Sequence, residues 1–369
     1  MRRLLVVCTT DSMIWNFLIP HIKELEKKNV YVECACSKTG FFFDAISEQY
    51  GIKMNEIPFE RSPYKISNFS AYKKLSLLIK EKQFDTIFCH EPVGGAIGRL
   101  AGKKNKCKVV YMAHGFHFYK GAPKKALIYH LAEWFLSFYT DILITINDED
   151  YFASKNLHAK RQIKLNGIGV DTNKFEFNGA EADYIVENGI VPRGGIVFLS
   201  VGELIERKNH EVFIKAVAKL NNPCVYYLIA GDGELKSYLS DLVNEFGLDK
   251  NVLLLGYRTD IKQLLNASDI FVMPSLQEGL SVALMEAMGC SKPVICSRIR
   301  GNIDLIDDNK GGFLCDVSDI GAYVTAAKML TESKELCRSF GLHNQKKIKE
   351  YDVETIKKEL VEILMGEVQ

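Results

Sequence analysis

Ile270-Phe-Val-Met273-Pro-Ser-Leu-Gln-Glu278-Gly-Leu-Ser281-Val-Ala-Leu-Met-Glu286-Ala-Met-Gly289 reads as one complete structural unit. Four apolar residues without polar alternation predict a strand buried on both faces, as in a parallel sheet covered by helices. Pro274 ends the strand, Gly279 opens the loop, and Ser281 stands where an N-cap starts a helix over Val282–Met288. Free N–H groups at such a helix start, together with the helix dipole, favour a phosphate. Glu278 and Glu286 are eight residues apart, slightly more than two helical turns. A carboxylate two turns along can accept hydrogen bonds from a ribose diol. The plain alternative is a capped core helix carrying two surface glutamates.

Outward from this segment the same strand–loop–helix rhythm fills the chain. Ile196–Val201, Val225–Ala230, Val252–Leu255 and Pro293–Cys296 complete one strand set with Ile270–Met273. Helical patterns over His210–Leu220, Leu235–Phe246 and Ile261–Asn266 separate them. An earlier set comprises Leu4–Cys8, Val30–Cys36, Thr86–His90, Lys108–Ala113 and Ile142–Ile146. Its helices are Trp15–Lys28, Phe69–Lys82, Gly94–Lys104 and Lys124–Tyr139. The polar stretch Asp171–Gly195, rich in glycine, reads as the interdomain connection. The prediction is two doubly wound α/β domains in tandem, 1–175 and 196–345. Residues 346–369 add a helical stripe from Val353 to Leu364 that is free to pack back on the first domain. Ligands in such sheets bind at the carboxyl ends of the strands, so a cleft between the domains is the expected site.

Composition narrows the class. The chain has 369 residues, 47% hydrophobic and 25% charged, with a net charge of +1. That is a soluble globular composition with no overall basic excess for nucleic acid. The ten cysteines form no CxxC pair and no zinc-type Cys/His cluster, which predicts reduced, buried thiols. The apolar run Leu4–Cys8 is too short for a signal peptide, and no run is long enough to span a membrane. A cytoplasmic protein, peripheral to the inner face of the membrane, is the expectation.

Two further turns support a phosphate site. Ser200-Val-Gly202-Glu-Leu-Ile-Glu-Arg207-Lys208-Asn209 places two adjacent cations after a strand and a glycine, which suits a diphosphate but also describes a solvated basic turn. Ile229-Ala-Gly231-Asp-Gly233-Glu234 puts glycines between a strand and a helix, where backbone can approach a ligand.

In this order and spacing, the three segments resemble the donor domain of family-4 retaining glycosyltransferases of the GT-B type, two Rossmann-like domains facing a cleft. The resemblance covers essentially the whole chain and is strongest from Ser200 to Met288. It implies that Glu286 holds the nucleotide ribose and Glu278, with it in an E-x7-E signature, lies near the transferred sugar. It further implies that Lys208 binds the diphosphate, and that Gly202, Arg207, Gly231, Gly233, Gly279, Leu280 and Ser281 line the donor site. His114, in Ala113-His-Gly115, resembles the family histidine that faces the sugar and is assigned a catalytic part with Glu278. A buried core histidine is the plain alternative there. Two departures stand out. Glu203 occupies the place of a usual arginine, with Arg207 available to supply the charge. Thr9-Thr10-Asp11-Ser12 stands where many relatives have a Gly-Gly loop.

The phrases Trp15-Asn-Phe-Leu-Ile-Pro-His21, His90-Glu-Pro and Ala113-His-Gly-Phe-His-Phe-Tyr-Lys120 are similar to bacterial capsule and exopolysaccharide transferases. The implied partners are a nucleotide-sugar donor, with UDP the first choice, and a saccharide or polyprenyl-diphosphate-linked acceptor. An anionic membrane surface is a further expected partner, because aromatic residues and lysines recur in Phe116–Tyr139 and Arg61–Lys82. Retention of configuration is implied, with a phosphate oxygen taking the acceptor proton. No cofactor or metal is expected. Asp148-Glu149-Asp150 matches a D-x-D metal motif but reads as the acidic first turn of a helix. A nucleotide-sugar 2-epimerase of the same fold and a non-catalytic sugar-nucleotide-binding partner are the competing functions. A dehydrogenase is disfavoured because neither first turn carries G-x-G-x-x-G.

Overall fold

A computed structural model describes residues 1–366 and divides the chain into two compact units. The first contains residues 1–169 together with the helix Val353–Met365; the second is Val170–Asp352.

The first unit carries a seven-stranded sheet. In chain order its strands are β1 (Arg3–Thr10), β2 (Tyr31–Ser37), β3 (Lys53–Glu56), β4 (Thr86–His90), β5 (Lys108–Ala113), β6 (Ile142–Thr145) and β7 (Arg161–Lys164). Every pair is parallel and the spatial order is β3-β2-β1-β4-β5-β6-β7. The helices used below are α1 (Ile19–Lys27), α2 (Ser67–Lys82), α3 (Pro92–Lys104), α4 (Ala126–Ser137) and α5 (Asp148–Ser154). Leu5, Val7, Ile87, Cys89 and Val109 of the sheet share one buried cluster with Ala71, Leu75 and Ile79 of α2.

The second unit repeats the design with β8 (Ile196–Val201), β9 (Val225–Ala230), β10 (Val252–Gly256), β11 (Ile270–Met273), β12 (Val294–Ser297) and β13 (Gly312–Cys315). Their order is β10-β9-β8-β11-β12-β13, again all parallel. The unalternated apolar runs are explained by their two buried faces. Leu199, Leu228, Phe271 and Val294 point into one core, while Phe198, Tyr227, Val272 and Ile295 point into the other. Two helices matter for the site, α6 (His210–Leu220) and α7 (Val282–Gly289).

Residues 171–195 are not a free connection. Phe175, Ile185 and Val191 are buried in the core of the second unit, so this polar, glycine-bearing stretch packs as part of that domain. The chain returns to the first unit only at Val353. The returning helix, α8 (Val353–Met365), packs on α1, where Lys357 Nζ reaches Glu354 at 2.8 Å and Glu24 at 3.6 Å. No helix among the described residues is long and apolar enough to cross a membrane.

Candidate functional site

In the second unit the turns after β8, β9, β11 and β12 assemble at the carboxyl ends of the strands. The glycines of two of them are dictated by backbone packing. A Cβ on Gly231 would overlap the carbonyl oxygen of Gly202, and one on Gly233 would lie 2.6 Å from the carbonyl of Leu204. Hydrogen bonds from Gly202 N to Ala230 O (3.0 Å) and from Leu204 N to Asp232 O (3.0 Å) lock the two turns together. Gly231 and Gly233 therefore shape the site by letting one loop rest on another. Gly202 differs, because the Lys208 side chain lies across it, with Cε 3.1 Å from where a Cβ would be.

Lys208 Nζ meets Glu278 Oε1 at 2.8 Å, and Arg207 Nη1 lies 3.1 Å from Glu278 Oε2. One carboxylate thus gathers both cations. Arg207 also donates to the Gln277 carbonyl at 3.0 Å, and Leu276 N donates to Arg207 O at 2.8 Å. Glu278 is buried and Lys208 nearly so, so their attraction is screened less than at an open surface. Asn209, in the left-handed conformation (φ 52°), ties this loop to the Pro274 and Val317 carbonyls at 3.0 and 2.9 Å. Buried Arg300 donates from Nε to the Glu278 carbonyl at 3.0 Å. Gly301 (φ 76°) is required beside it, because a Cβ would collide with the Gly279 carbonyl. Asn209, Arg300 and Gly301 were not singled out from the sequence. Arg300-Gly301 does carry the signal, a glycine between a strand and a helix.

Ser281 is the N-cap of α7, accepting from Leu284 N at 3.4 Å. Gly279 and Leu280 are partly exposed just before it, so the leading N–H groups of α7 follow directly on the Glu278 turn. Glu286, one and a half turns along α7, is half-buried and has no side-chain hydrogen bond among the described residues. Burial pushes its pKa up to about 7, with Lys174 opposing the rise.

His114 belongs to the first unit, at the end of β5. Its Nε2 is 2.9 Å from His90 Nδ1, at the end of the neighbouring β4. One ring donates and the other accepts, so the pair holds complementary tautomers. Burial lowers His114 to about 4 and His90 well below its ordinary value. Both are neutral at physiological pH. The loop that follows His114 is gripped from α5: Phe116 N donates to Asp150 (3.1 Å) and Lys120 N to Glu149 (2.7 Å). Asp150 also accepts from Asn147 Nδ2 at 2.8 Å, and Asp148 pairs with Lys164 at 2.5 Å. The D-x-D residues thus do local structural work, and no cluster of three or more His, Cys, Asp or Glu suited to a metal occurs among the described residues.

The first-turn segment Thr9–Ser12 is occupied. Glu91 Oε2 accepts from Thr9 N at 2.7 Å and Thr10 N at 3.2 Å. Buried Asp11 accepts from Thr39 N at 3.2 Å and from Phe43 N at 3.1 Å.

Known proteins resemble the chain over both units. Residues 185–347 match the family model for glycosyl transferases group 1, and residues 4–147 match that for glycosyl transferase 4-like proteins. The Bacillus subtilis protein EpsD, a glycosyltransferase by name, is 33% identical over 355 residues, covering 94% of this chain and 91% of its own. The UDP-Gal:alpha-D-GlcNAc-diphosphoundecaprenol alpha-1,3-galactosyltransferase of Escherichia coli is 34% identical over 280 residues, 73% of this chain and 72% of that one. Anabaena Alr3699/HepE, solved in complex with UDP, superposes with a TM-score of 0.84 at 20% identity, covering 99% of this chain and 100% of that one; the likeness is one of fold.

Proposed function

The chain belongs to the group 1 and 4-like glycosyltransferases, and on that premise we propose that it transfers a glycosyl group from a UDP-sugar to a lipid-linked saccharide with retention of configuration. The observation that carries the donor site is the Lys208–Glu278–Arg207 cluster beside the start of α7. A diphosphate entering there meets Lys208, Arg207 and the leading N–H groups after Gly279, Leu280 and Ser281. It competes with Glu278 for Lys208, which leaves the Glu278 carboxylate beside the departing anion. Glu286, half-buried and with no side-chain hydrogen bond among the described residues, is suited to accept from the two ribose hydroxyls.

As the bond from the anomeric carbon to the diphosphate breaks, negative charge grows on the leaving oxygen. Lys208 and the α7 dipole stabilise it where it develops. The acceptor hydroxyl attacks from the face the diphosphate vacates, and a phosphate oxygen takes its proton. Glu278 stabilises the positive charge spreading over the sugar. His114, neutral, offers a hydrogen bond to a sugar hydroxyl. A lipid-linked acceptor is supported by the named substrate of the Escherichia coli relative. Such an acceptor implies peripheral attachment to an anionic surface, for which Lys120, Lys124 and Lys125 ahead of α4 supply charge.

The test is a panel of UDP-, GDP- and dTDP-sugars incubated with a GlcNAc-diphosphoryl lipid. UDP release with an α-linked product by NMR is the expected result. A β-linked product from an α-linked donor would remove retention, and release of GDP or dTDP alone would remove the UDP assignment.

A further inference from the structure

Helix α4 is built inside out. Its outward residues Leu127, Ile128, Leu131, Trp134, Phe135 and the following Phe138 are 42–61% exposed. Its inward face instead carries Glu133, which forms a two-toothed pair with buried Arg99 at 2.7 and 3.0 Å. A surface helix of a globular domain normally turns its apolar stripe to the core. A contiguous exposed apolar patch of this kind marks a surface that something covers.

The patch runs on into a groove. Phe135 packs at a tilt on Tyr139, 5.4 Å between ring centres, and Tyr139 lines a cavity of about 900 Å³ between α2 and α3. Phe69, Tyr72, Ile97 and Leu100 form its apolar wall, and Lys103 and Lys104 stand at its rim. That volume lies in the range of sites for small organic ligands, roughly 300–1,000 Å³. Lys103 also lines a second cleft, of about 630 Å³, with Lys106, Lys108, Lys160 and Arg161. Among the described residues Asp141 is the one acid lining it, 2.6 Å from Lys160 and 3.8 Å from Lys103. An apolar groove thus opens beside a cationic cleft and shares a lysine with it. The charge is regional: residues 61–125 hold fourteen lysines and arginines against three acids, although the whole chain is at +1.

We propose that this face of the first unit binds an anionic membrane lipid, with a hydrocarbon chain in the α2–α3 groove and the phosphate in the adjoining cationic cleft. The charge of the cleft selects an anion and the groove selects a chain, so an amphiphile satisfies both while a soluble phosphate satisfies only one. The α4 stripe then lies against the surrounding bilayer. The proposal rests on the reading that the acceptor is presented at a membrane, and on nothing about the donor.

Calorimetry on the full chain tests it, using dihexanoyl phosphatidylglycerol below its micelle concentration, dihexanoyl phosphatidylcholine and glycerol 3-phosphate. The expected result is saturable binding of about one phosphatidylglycerol per chain, with the other two at least about tenfold weaker. Leu100→Trp fills the groove and should abolish the binding. Should that variant not fold, exposed Phe69→Asp makes the same test. Lys103→Glu with Lys106→Glu should weaken binding by at least about tenfold. Equal affinity for glycerol 3-phosphate and the lipid would overturn the proposal, as would lipid binding untouched by the groove variants. A chain that ignores lipid but forms a dimer broken by Leu131→Glu would also overturn it, assigning the face to a second copy. Failure of the acceptor reading looks different: lipid binds as expected, yet no diphosphate-linked saccharide accepts a sugar.

Discussion

The two units share a strand order, so each sheet reverses its direction of winding once, between β1 and β4 in the first and between β8 and β11 in the second. Strand ends splay apart there and leave a crevice where ligands of doubly wound sheets bind. The two crevices are furnished oppositely. In the first, the N–H groups of Thr9 and Thr10 are already taken by the carboxylate of Glu91. Glu91 holds φ 60° and ψ 160°, a region that is essentially glycine's and costs about 1–3 kcal/mol. In the second, Lys208 and Arg207 converge on Glu278 beside the start of α7. Each crevice contains a carboxylate, but Glu91 is spent on backbone donors, while Glu278 gathers two cations that an incoming anion can recruit. Topology makes both crevices; on the proposed reading, side-chain charge decides which one takes a diphosphate.

The most damaging way to probe this difference is Lys208→Ala. If Lys208 stabilises the departing diphosphate, turnover should fall by about 10²–10³, the usual effect of removing one group aimed at developing charge. Affinity for UDP should fall by about 1.5–3 kcal/mol, and affinity for uridine should barely change. Calorimetry with the two ligands separates the outcomes. Equal losses for both would move Lys208 away from the diphosphate and erase the contrast between the crevices.

Glu286 sharpens the comparison through pH. Burial raises its pKa to about 7, so the ligand-free protein favours the protonated form below about pH 7. The stability linked to that form is complete below the unfolded value near 4.5 and is lost as pH rises through about 7. Glu286→Gln should therefore stabilise the ligand-free protein by about 1–3 kcal/mol at pH 8, after allowing for solvent screening, and by almost nothing at pH 4. Binding should respond in the other direction. If Glu286 receives the ribose hydroxyls, they donate to its carboxylate and favour its charged form, so UDP affinity should climb between about pH 6 and 8. Glu286→Ala should cost about 1.5–3 kcal/mol of that affinity. A pH-independent UDP affinity in the wild-type chain would remove Glu286 from the ribose.

Glu91→Ala attacks the other crevice. It frees two backbone donors and leaves the strain in place, because alanine keeps the Cβ that disfavours this conformation. A loss of about 1–2 kcal/mol in stability is expected from the unmade hydrogen bonds, read from denaturant melts. UDP affinity should remain within about twofold. A larger change would mean that the first crevice, too, takes part in nucleotide binding.

How much of this was legible in the sequence depended on burial. Strands with two covered faces, such as Ile270–Met273 and Ile142–Thr145, announce themselves as apolar runs. The missed strands, Lys53–Glu56, Arg161–Lys164 and Gly312–Cys315, are all sheet edges. Edge strands need only one partner, and polar ends such as Lys-Met-Asn-Glu carry no apolar signature. Residues 171–195 misled for a related reason: glycine and charge suggested a linker, while three spaced hydrophobes, Phe175, Ile185 and Val191, carry the packing. At the site, Arg207, Lys208, Glu278 and Ser281 could be read because a strand, a turn and a cap fix their positions locally. The role of Gly231 and Gly233 could not, because the loop that rests on them lies about 30 residues earlier in the chain. Glu91 was invisible as an anion for the first turn for the same reason, since its partners are Thr9 and Thr10.

The smallest expected effect is none at all, and it bears on what neutralises the diphosphate. Charge on a leaving diphosphate can be met by a divalent cation or by side chains and helix dipoles. In the second unit Lys208, Arg207 and the start of α7 are positioned for the second route. The D-x-D acids are employed elsewhere: Asp148 pairs with Lys164, and Asp150 holds Phe116 N and Asn147 in the loop beyond His114. Turnover should therefore survive dialysis against EDTA, with no gain on adding Mg²⁺ or Mn²⁺. Asp148→Asn should leave activity within about twofold, because a half-exposed ion pair is worth about 0–1 kcal/mol. Asp150→Ala should instead lower thermal stability, having removed the acceptor for a buried N–H. Loss of activity on chelation, restored by Mn²⁺, would show that a metal supplies charge that Lys208 and Arg207 do not, and the contrast between the crevices would no longer account for where the donor binds.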